Sequence, residues 1–318
     1  MSFRILGTGS AHPGRSVTND DLTKFLDTSD EWITTRTGIK SRYICTDETI
    51  SDVAAAAGKA ALENAGIEAS ELDGIICSTA RGDFITPSQA CIIQQRLGAS
   101  CPAFDVNAAC SGFLYALDIA AGYFARKRMK KVLVVACENM SKLLDWQDRK
   151  TCVLFGDGAG AVVLGEGNNL LSIRLSANGD SDVMNIPNVS GNSPFNTQPA
   201  APSFLSMQGQ EVYKFAVASM SGDLEAVIRD AGLNQEDINF VLPHQANQRI
   251  IDTAKKRLNI PEDRYCGNIE HYGNVSSASI PILMDELNRK NTFHDGDYLA
   301  LTAFGGGLTS GACVIRWG

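Results

Sequence analysis

The sequence lacks the cysteine spacing of a metal-binding or disulfide-rich protein. Its nine cysteines are odd in number, none belongs to a CxxC pair, and most lie among apolar residues. This pattern indicates reduced thiols in a reducing compartment, and it argues against both a disulfide framework and a zinc site. We therefore expect no bound metal.

The chain also lacks long apolar runs and an excess of positive charge. Runs such as Val132 to Cys137 are only long enough for a strand, and the N-terminal segment MSFRILGTGSAHPG soon reaches glycine and proline. We expect no membrane span and no signal peptide, hence a cytoplasmic protein. The net charge of -8 argues against a general nucleic-acid-binding protein, so an acidic partner would need a local basic patch.

The composition is that of a globular protein with a substantial core. The chain has 318 residues, of which 44% are hydrophobic and 20% charged, enough for one large domain or two ordinary ones. Helical segments, such as Ser51 to Ala65 with Ser51 as a plausible N-cap, alternate with strand-like segments such as LDGIICSTA. The alternation predicts an α/β fold with buried, largely parallel strands.

Internal similarity divides the chain into two halves. Three pairs of segments share an offset of 166 residues: Asn64 to Ser78 with Asp230 to His244, the strand from Lys131 with that from Asp297, and the segment from Cys110 with that from Ser276. We expect two similar units, residues 1–170 and 171–318. An excursion rich in Pro, Asn and Ser, from Gly179 to Ser206, is typical of a binding segment or a disordered loop.

One cysteine stands out by its position. Cys110 follows a probable strand, and Phe113, Leu114 and Leu117 after it have helical spacing. A thiol at a helix start faces unpaired N–H groups and the positive end of the helix dipole, both of which favour the thiolate. Cys110 is therefore either one more small buried residue or a nucleophile whose activating partner lies elsewhere.

Candidate partners occur in the second half. His244 directly follows the strand FVLP, at the position paired with Ser78, and Asn274 lies two residues before Ser276. The duplication would bring these strand and helix ends together at the centre of the molecule. Gly305 to Gly307 follow another strand and can present backbone N–H groups to a ligand, although such a run alone is more often a tight turn.

Five motifs together resemble one family. The segments NAACSGF, LPHQAN, HYGNVSSAS, FGDGAGAVVL and AFGGGLTSGA are similar to those of the β-ketoacyl-acyl-carrier-protein synthase III family of the thiolase superfamily, and the match runs from the first strand to the C-terminus. The resemblance implies a thiolase-like α/β fold with an internally duplicated αβαβα layered core, and a homodimer. It further implies acyl-CoA and malonyl-acyl-carrier protein as substrates in fatty-acid chain initiation, without a cofactor.

The resemblance also assigns roles to the motif residues. Cys110 would be acylated, with its own N–H and that of Gly306 holding the oxyanion. Neutral His244 and the Asn274 amide would donate hydrogen bonds to the enolate that forms when malonyl thioester loses carbon dioxide. The residues it places against substrate are Trp32, Arg36, Arg149, Phe155, Asn247 and Phe304.

The expected CoA contacts have a physical basis. The Trp32 indole and the Arg149 guanidinium can sandwich an adenine, and arginines pair with phosphate. The family usually has a small residue where this chain has Lys150, and often asparagine where it has Gln210, so the resemblance does not define the CoA contacts near these two positions.

A basic patch supplies a docking hypothesis. On a helical wheel starting at Arg249, apolar residues gather on one side, and Arg249 and Lys256 lie together on the other, where Lys214 could extend the face. Such a patch suits an acidic carrier protein, although solvated basic faces are common.

One departure from the family bears on substrate choice. Many relatives place an aromatic residue immediately before the proline of this segment, where it caps the acyl pocket of the partner subunit, and here that residue is Thr86. We hypothesise a deeper pocket that accepts longer or branched primers.

Two rival functions stay open: a related condensing enzyme making a polyketide, quinolone or head-to-head product, and a non-catalytic partner of a condensing enzyme.

Overall fold

The computed structural model describes residues 2–188, 193–195, 197 and 203–318. The excursion predicted between Gly179 and Ser206 therefore lies partly outside the described residues. Its described parts include the end of one long strand and two short paired strands.

Strands and helices alternate through most of the described chain. The strands are β1 (Ser2–Ala11), β2 (Arg15–Thr18), β3 (Ser41–Ile44), β4 (Gly74–Ser78), β5 (Ala103–Val106), β6 (Lys131–Asn139), β7 (Asp157–Gly167), β8 (Leu170–Asp180), β9 (Met184–Asn185), β10 (Ser206–Met207), β11 (Phe240–Pro243), β12 (Tyr298–Gly305) and β13 (Gly307–Arg316). The helices are α1 (Asn19–Thr23), α2 (Asp30–Thr37), α3 (Ile50–Ala65), α4 (Gln89–Leu97), α5 (Gly112–Ala125), α6 (Gly209–Asp230), α7 (Gln248–Lys255), α8 (Ile269–Tyr272) and α9 (Ser279–Arg289).

Two main sheets share one topology. The first has the order β1-β7-β6-β4-β5, and the second has β8-β13-β12-β11. In both sheets the first three strands pair antiparallel and the next pair, β6 with β4 or β12 with β11, is parallel. The described second sheet carries no strand equivalent to β5. The predicted α/β fold with a duplicated core is confirmed.

The helices form three layers around the two sheets. α5 and α9 pack together between the sheets, in one core cluster with residues from both. Alternate residues of β6 and β7 point the other way, toward α3 and α4, while alternate residues of β12 and β13 face α6. The result is the expected αβαβα layering, because period-two alternation lets each sheet bury both faces.

The start of α3 differs from the prediction. Its N-cap is Thr49, whose side chain forms a capping box with Asp52. Ser51, the predicted cap, is buried within the first turn, and its hydroxyl donates to Asp83 at 2.5 Å. A threonine followed three residues later by an acidic residue satisfies two orphan N–H groups, which a cap at Ser51 would not.

The repeat register shifts by one residue between its segments. The strands β4 and β11 correspond at the predicted offset of 166 residues, which relates Gly74 to Phe240. Their partners in the neighbouring strands, Val132 and Leu299, are related by an offset that is one residue longer. The turn before each central helix follows this longer offset. Ala109 has a φ of 48° and Ser276 one of 46°. The counterpart of Cys110 is therefore Ser277, and the predicted partner Ser276 is wrong.

A search of the described helices finds none with the length and apolar character needed to cross a membrane.

Candidate active site

Cys110 lies in a tight turn between a parallel strand and the central helix. β5 ends at Val106, a 3-10 turn spans Ala109–Ser111, and α5 begins at Gly112. Ala109 adopts a positive φ that is uncommon for a residue with a Cβ, and its N–H donates to the Asn107 side chain at 3.1 Å. This turn fixes the cysteine at the start of the helix, as predicted.

The electrostatics of Cys110 differ from the prediction. Its side chain is buried, and burial raises the pKa of the thiol to about 12, although a hydrogen bond with Ser276 opposes the rise. The expected stabilisation of the thiolate at the helix start is therefore outweighed by the loss of water. Burial thus favours the thiol form of Cys110, and a reaction as a nucleophile would need a proton acceptor.

His244 follows the end of β11 and is almost completely buried. Its Nδ1 lies 2.7 Å from the Ser279 hydroxyl, and its Nε2 has no hydrogen-bond partner within the described part of the chain. Burial lowers its pKa to about 3. The ring is thus neutral and held by one nitrogen, while the other is available to a substrate.

Asn274 is fixed by both its backbone and its side chain. The Asn274 N–H donates to the Leu154 carbonyl at 2.8 Å, and the Gly156 N–H donates to the Asn274 carbonyl at 3.1 Å. Its side-chain Oδ1 accepts from the Ser276 N–H at 2.8 Å. Because the oxygen is engaged, the amide nitrogen remains as a donor for a ligand.

The three residues line one cavity of about 230 Å³, which we call the His244 cavity. Phe155 and Phe304 form apolar walls of the same space, and the Phe304 ring meets the His244 ring edge-on at 5.4 Å between centroids. The predicted triad and both predicted phenylalanines are therefore brought together.

A second cavity of about 670 Å³ also opens on Cys110. We call it the Thr79 cavity; its lining includes Ala109, Met140 and Leu143. Cys110 and Phe155 belong to both cavities, whereas His244 and Asn274 line only the first. A group bonded to the Cys110 sulfur can therefore extend away from the two donors.

The glycine run lies against the cysteine turn. A Cβ on Gly305 would come within 2.6 Å of the Cys110 backbone nitrogen, so only glycine allows this close approach. Gly306 lines the Thr79 cavity beside Cys110. The predicted oxyanion donor, the Gly306 N–H, therefore belongs to a segment that packs against the Cys110 turn.

Three of the predicted CoA residues, Trp32, Arg36 and Arg149, form one cluster beside the His244 cavity. Trp32 carries the Arg36 guanidinium 4.6 Å from its ring centroid and the Arg149 guanidinium at 5.2 Å. Arg149 also hydrogen bonds the Asp27 carbonyl. Trp32 and Arg36 line the cavity, as do Asn247 and Lys150, the position that departs from the family. Both guanidinium groups already contact the indole, so an adenine must displace one of them to stack on it.

The predicted docking face is exposed, but its helix is shorter than expected. Ile250 and Ile251 are buried on one side of α7 while Arg249 is exposed, as the wheel predicts. The helix ends at Lys255, so Lys256 is its C-cap and lies beyond the regular helix. Lys214, also exposed, pairs with Glu211 at 2.7 Å.

The loop containing Thr86 lies beside the Thr79 cavity. Thr86 is exposed, and the neighbouring Phe84 and Ile85, which are 62% and 85% exposed, line that cavity within the same chain. Two exposed apolar side chains thus precede the position expected to meet a partner subunit.

Three side chains beside the candidate residues were not assigned a role from the sequence. They are Glu138, Ser276 and Ser279, which contact Cys110, His244 or each other. A charged residue at the end of the apolar strand KVLVVACEN was the available indication for Glu138, because a buried carboxylate requires dedicated partners. The serines of HYGNVSSAS gave no comparable indication.

The layered duplicated fold and the cysteine, histidine and asparagine around one cavity define a condensing enzyme of the thiolase class. The family models for 3-oxoacyl-[acyl-carrier-protein] synthase III and for its C-terminal part match residues 104–179 and 228–317. The β-ketoacyl-[acyl-carrier-protein] synthase III of Clostridium acetobutylicum is 46% identical over 321 residues, covering 99% of each chain. That of Oceanobacillus iheyensis is 46% identical over 323 residues and covers 100% of both. The chain belongs to the β-ketoacyl-acyl-carrier-protein synthase III family, whose members are condensing acyltransferases.

Solved structures show the same fold. The 3-oxoacyl-[acyl-carrier-protein] synthase III of Aquifex aeolicus superposes with a TM-score of 0.93 at 44% identity, covering 99% of this chain and 100% of that one. The priming β-ketosynthase of the R1128 polyketide pathway also has a TM-score of 0.93, at 36% identity, covering 99% and 96%.

Proposed function

We propose that this enzyme transfers an acyl group from acyl-CoA to Cys110 and then condenses it with malonyl-acyl-carrier protein. The products are 3-oxoacyl-acyl-carrier protein, CoA and carbon dioxide, and the reaction starts a fatty-acid chain. The observation that carries the proposal is that Cys110 is shared by two cavities, with His244 and Asn274 in only one of them.

In the first half-reaction the Cys110 sulfur attacks the thioester carbonyl of acyl-CoA. The N–H groups of Cys110 and Gly306 stabilise the oxyanion, and the CoA thiolate leaves. The acyl chain then extends into the Thr79 cavity, while the pantetheine arm occupies the His244 cavity beside Asn247.

In the second half-reaction the malonyl thioester enters the His244 cavity. Its carboxylate leaves as carbon dioxide, and its carbonyl oxygen becomes an enolate held by the His244 Nε2–H and the Asn274 amide. For His244 to donate through Nε2, the Ser279 hydroxyl must donate to Nδ1. The low pKa of His244 supports this role, because a neutral ring holds the enolate without readily protonating it. The carbanion attacks the acyl group, and Cys110 leaves as a thiolate.

The direct test is product analysis. Enzyme, acetyl-CoA and malonyl-carrier protein should yield 3-oxoacyl-carrier protein by mass spectrometry, and Cys110→Ser should yield none. Malonyl-CoA should be a poor replacement for the carrier-bound donor. A preference for malonyl-CoA would favour the second candidate, a related condensing enzyme for a polyketide, quinolone or head-to-head product, which the likeness to the R1128 priming ketosynthase keeps open.

We propose a cytoplasmic homodimer in which the exposed loop around Thr86 reaches the partner's Thr79 cavity. The N-terminal half, residues 1–170, would carry the nucleophile, and the C-terminal half, residues 171–318, would carry His244 and Asn274. No role in nucleic-acid or membrane binding is proposed.

The volume of the Thr79 cavity supports a broad primer range. In one chain this cavity has a volume of about 670 Å³, which an acyl chain would share with the partner's loop, and Thr86 is smaller than the aromatic residue of many relatives. We propose that longer or branched primers are accepted. A series of acyl-CoAs of increasing length tests this, and activity confined to acetyl-CoA would contradict it.

A further inference from the structure

A carboxylate lies buried behind the nucleophile. Glu138, near the end of β6, is only 1% exposed. One of its oxygens, Oε1, accepts from the Ser276 hydroxyl at 3.0 Å and from the Ser277 hydroxyl at 2.6 Å. The other accepts from the Ala80 N–H at 3.0 Å. Its partners in the described part of the chain are thus hydroxyls and backbone N–H groups, without a cation.

Ser276 joins this carboxylate to the nucleophile. Its hydroxyl donates to Glu138 and is also within hydrogen-bonding reach of the Cys110 thiol. Its backbone is fixed, since its N–H donates to Asn274 and its φ is positive. The Ser276 hydroxyl therefore contacts Glu138 directly and lines the same cavity as Cys110, a position from which it can relay a proton from the thiol.

We infer that Glu138 accepts the proton of Cys110 through the Ser276 hydroxyl and holds it while the cysteine is acylated. Glu138 touches neither substrate nor the reacting sulfur, so it acts as a proton-accepting positioning residue. The inference rests on the proposed function, because it deepens the first half-reaction.

The proton count closes over the catalytic cycle. The Cys110 S–H proton passes to the Ser276 oxygen as the Ser276 proton passes to Glu138, leaving a thiolate and a neutral carboxylic acid. The thiolate displaces CoA, whose thiolate takes a proton from water. When condensation later expels Cys110 as a thiolate, the proton returns from Glu138 by the same path.

His244 is less suited to this task. Its imidazole has a lowered pKa, about 3, so it is a weak base. Its Nε2 must also carry a proton to stabilise the enolate. Glu138 is the stronger base of the two, because burial raises the pKa of its carboxyl to about 7. Separate residues can then serve the two half-reactions.

None of the described titratable groups that face Glu138 changes its protonation state together with it near neutral pH. The thiols of Cys77 on β4 and of Cys110 both interact with it, but the pKa of Cys77 is raised well above its usual value and that of Cys110 to about 12. On β7, Asp157 directs its carboxylate to Ser141 and to the Cys45 N–H instead. Protonation of Glu138 below about pH 7 should therefore block proton acceptance.

The experiment measures single-turnover acylation of Cys110 by acetyl-CoA from pH 5 to 9, using rapid quench and intact-protein mass spectrometry. The test variants are Glu138→Gln and Ser276→Ala. The matched control is Ser277→Ala, which removes a hydroxyl from the same carboxylate oxygen but leaves Ser276 on the path to Cys110. Thermal unfolding and malonyl-carrier decarboxylation by each variant report whether the site is intact.

For the wild type we expect the acylation rate to fall below about pH 7. In Glu138→Gln and Ser276→Ala, Cys110 should be acylated about 100-fold more slowly, and the fall in rate below about pH 7 should disappear. The rate of decarboxylation should change only a few-fold. Ser277→Ala should keep the fall in acylation rate at low pH but shift it to a higher pH, because one hydrogen bond that lowers the pKa of Glu138 is gone.

Wild-type rates and an unchanged pH profile in Glu138→Gln or Ser276→Ala would overturn the inference. Should Glu138→Gln fail to fold, Ser276→Ala decides the question alone. Failure of the wild-type protein itself to acylate Cys110 would instead overturn the proposed function.

Discussion

The Ser279 hydroxyl lies 2.7 Å from Nδ1 of His244. It thereby joins the first residue of α9 to the end of β11 and fixes the imidazole ring. At the equivalent place in the first half, α5 begins with Gly112, where a Cβ would come within 2.2 Å of the Ser78 hydroxyl. The two halves thus share a backbone frame in which one helix start holds a histidine and the other leaves only enough room for a glycine.

Removal of the Ser279 hydroxyl should impair condensation selectively. We expect Ser279→Ala to reduce malonyl-carrier decarboxylation about 10- to 100-fold, because the His244 ring loses its fixed orientation and preferred tautomer. Acylation of Cys110 should change little. The control is Ser221→Ala, which removes another buried hydroxyl, bonded to the Val217 carbonyl in α6. Equal losses in both half-reactions would contradict the assigned role.

A change of one amide to a carboxylate tests the donor role of Asn274. Asn274→Asp keeps an oxygen for the Ser276 N–H but replaces the donor by an anion that repels the enolate. We expect the rate of decarboxylation to fall about 100- to 1,000-fold, while acylation remains measurable. The exposed Asn259→Asp adds the same charge away from the site and should match the wild type. Retention of decarboxylation in Asn274→Asp would exclude a donor at this position.

The raised pKa of Glu138 predicts a pH-dependent stability. Burial raises the pKa of the carboxyl from its usual 4.5 to about 7 in the folded protein, so its ionisation opposes folding. The wild type should lose about 3 kcal/mol relative to Glu138→Gln as the pH rises from 4 to 7.5, with no further loss above that pH. Denaturant unfolding at several pH values measures this difference. Exposed Glu63→Gln is the control, and parallel pH curves for wild type and Glu138→Gln would refute the prediction.

Charge reversal tests the carrier-protein face. Arg249→Glu combined with Lys256→Glu should raise the KM for malonyl-carrier protein about 10-fold at low salt, because complementary charge steers an acidic partner. The KM for acyl-CoA should change less than two-fold in the same variant. The exposed pair Lys59→Glu and Lys290→Glu gives the same net charge elsewhere. An equal rise for both substrates would argue against this docking face.

Sequence patterns predicted where the candidate site residues lie, because their positions are set by local structure. Cys110 at a strand-to-helix turn and His244 at a strand end follow from short motifs, and the repeat brought them together. The register within the repeat was less secure, since a one-residue difference between segments changes the partner of Cys110 from Ser276 to Ser277.

The charge states of the site could not be predicted in the same way. Whether Cys110 is a thiol or a thiolate depends on the competition between helix dipole and burial, and burial depends on the packing of both halves. Glu138 is brought to Ser276 from a position 138 residues away along the chain. Contacts of this kind arise from the assembled layers and leave no short motif.

In the proposed reaction Cys110 is the nucleophile that receives the acyl group. Intact-protein mass spectrometry after mixing with acetyl-CoA and a series of longer acyl-CoAs measures this acylation. We predict that the wild-type protein gains the mass of one acyl group per chain, localised to Cys110, and that Cys110→Ser gains none. Acylation at another residue, or equal labelling of Cys110→Ser, would contradict the account.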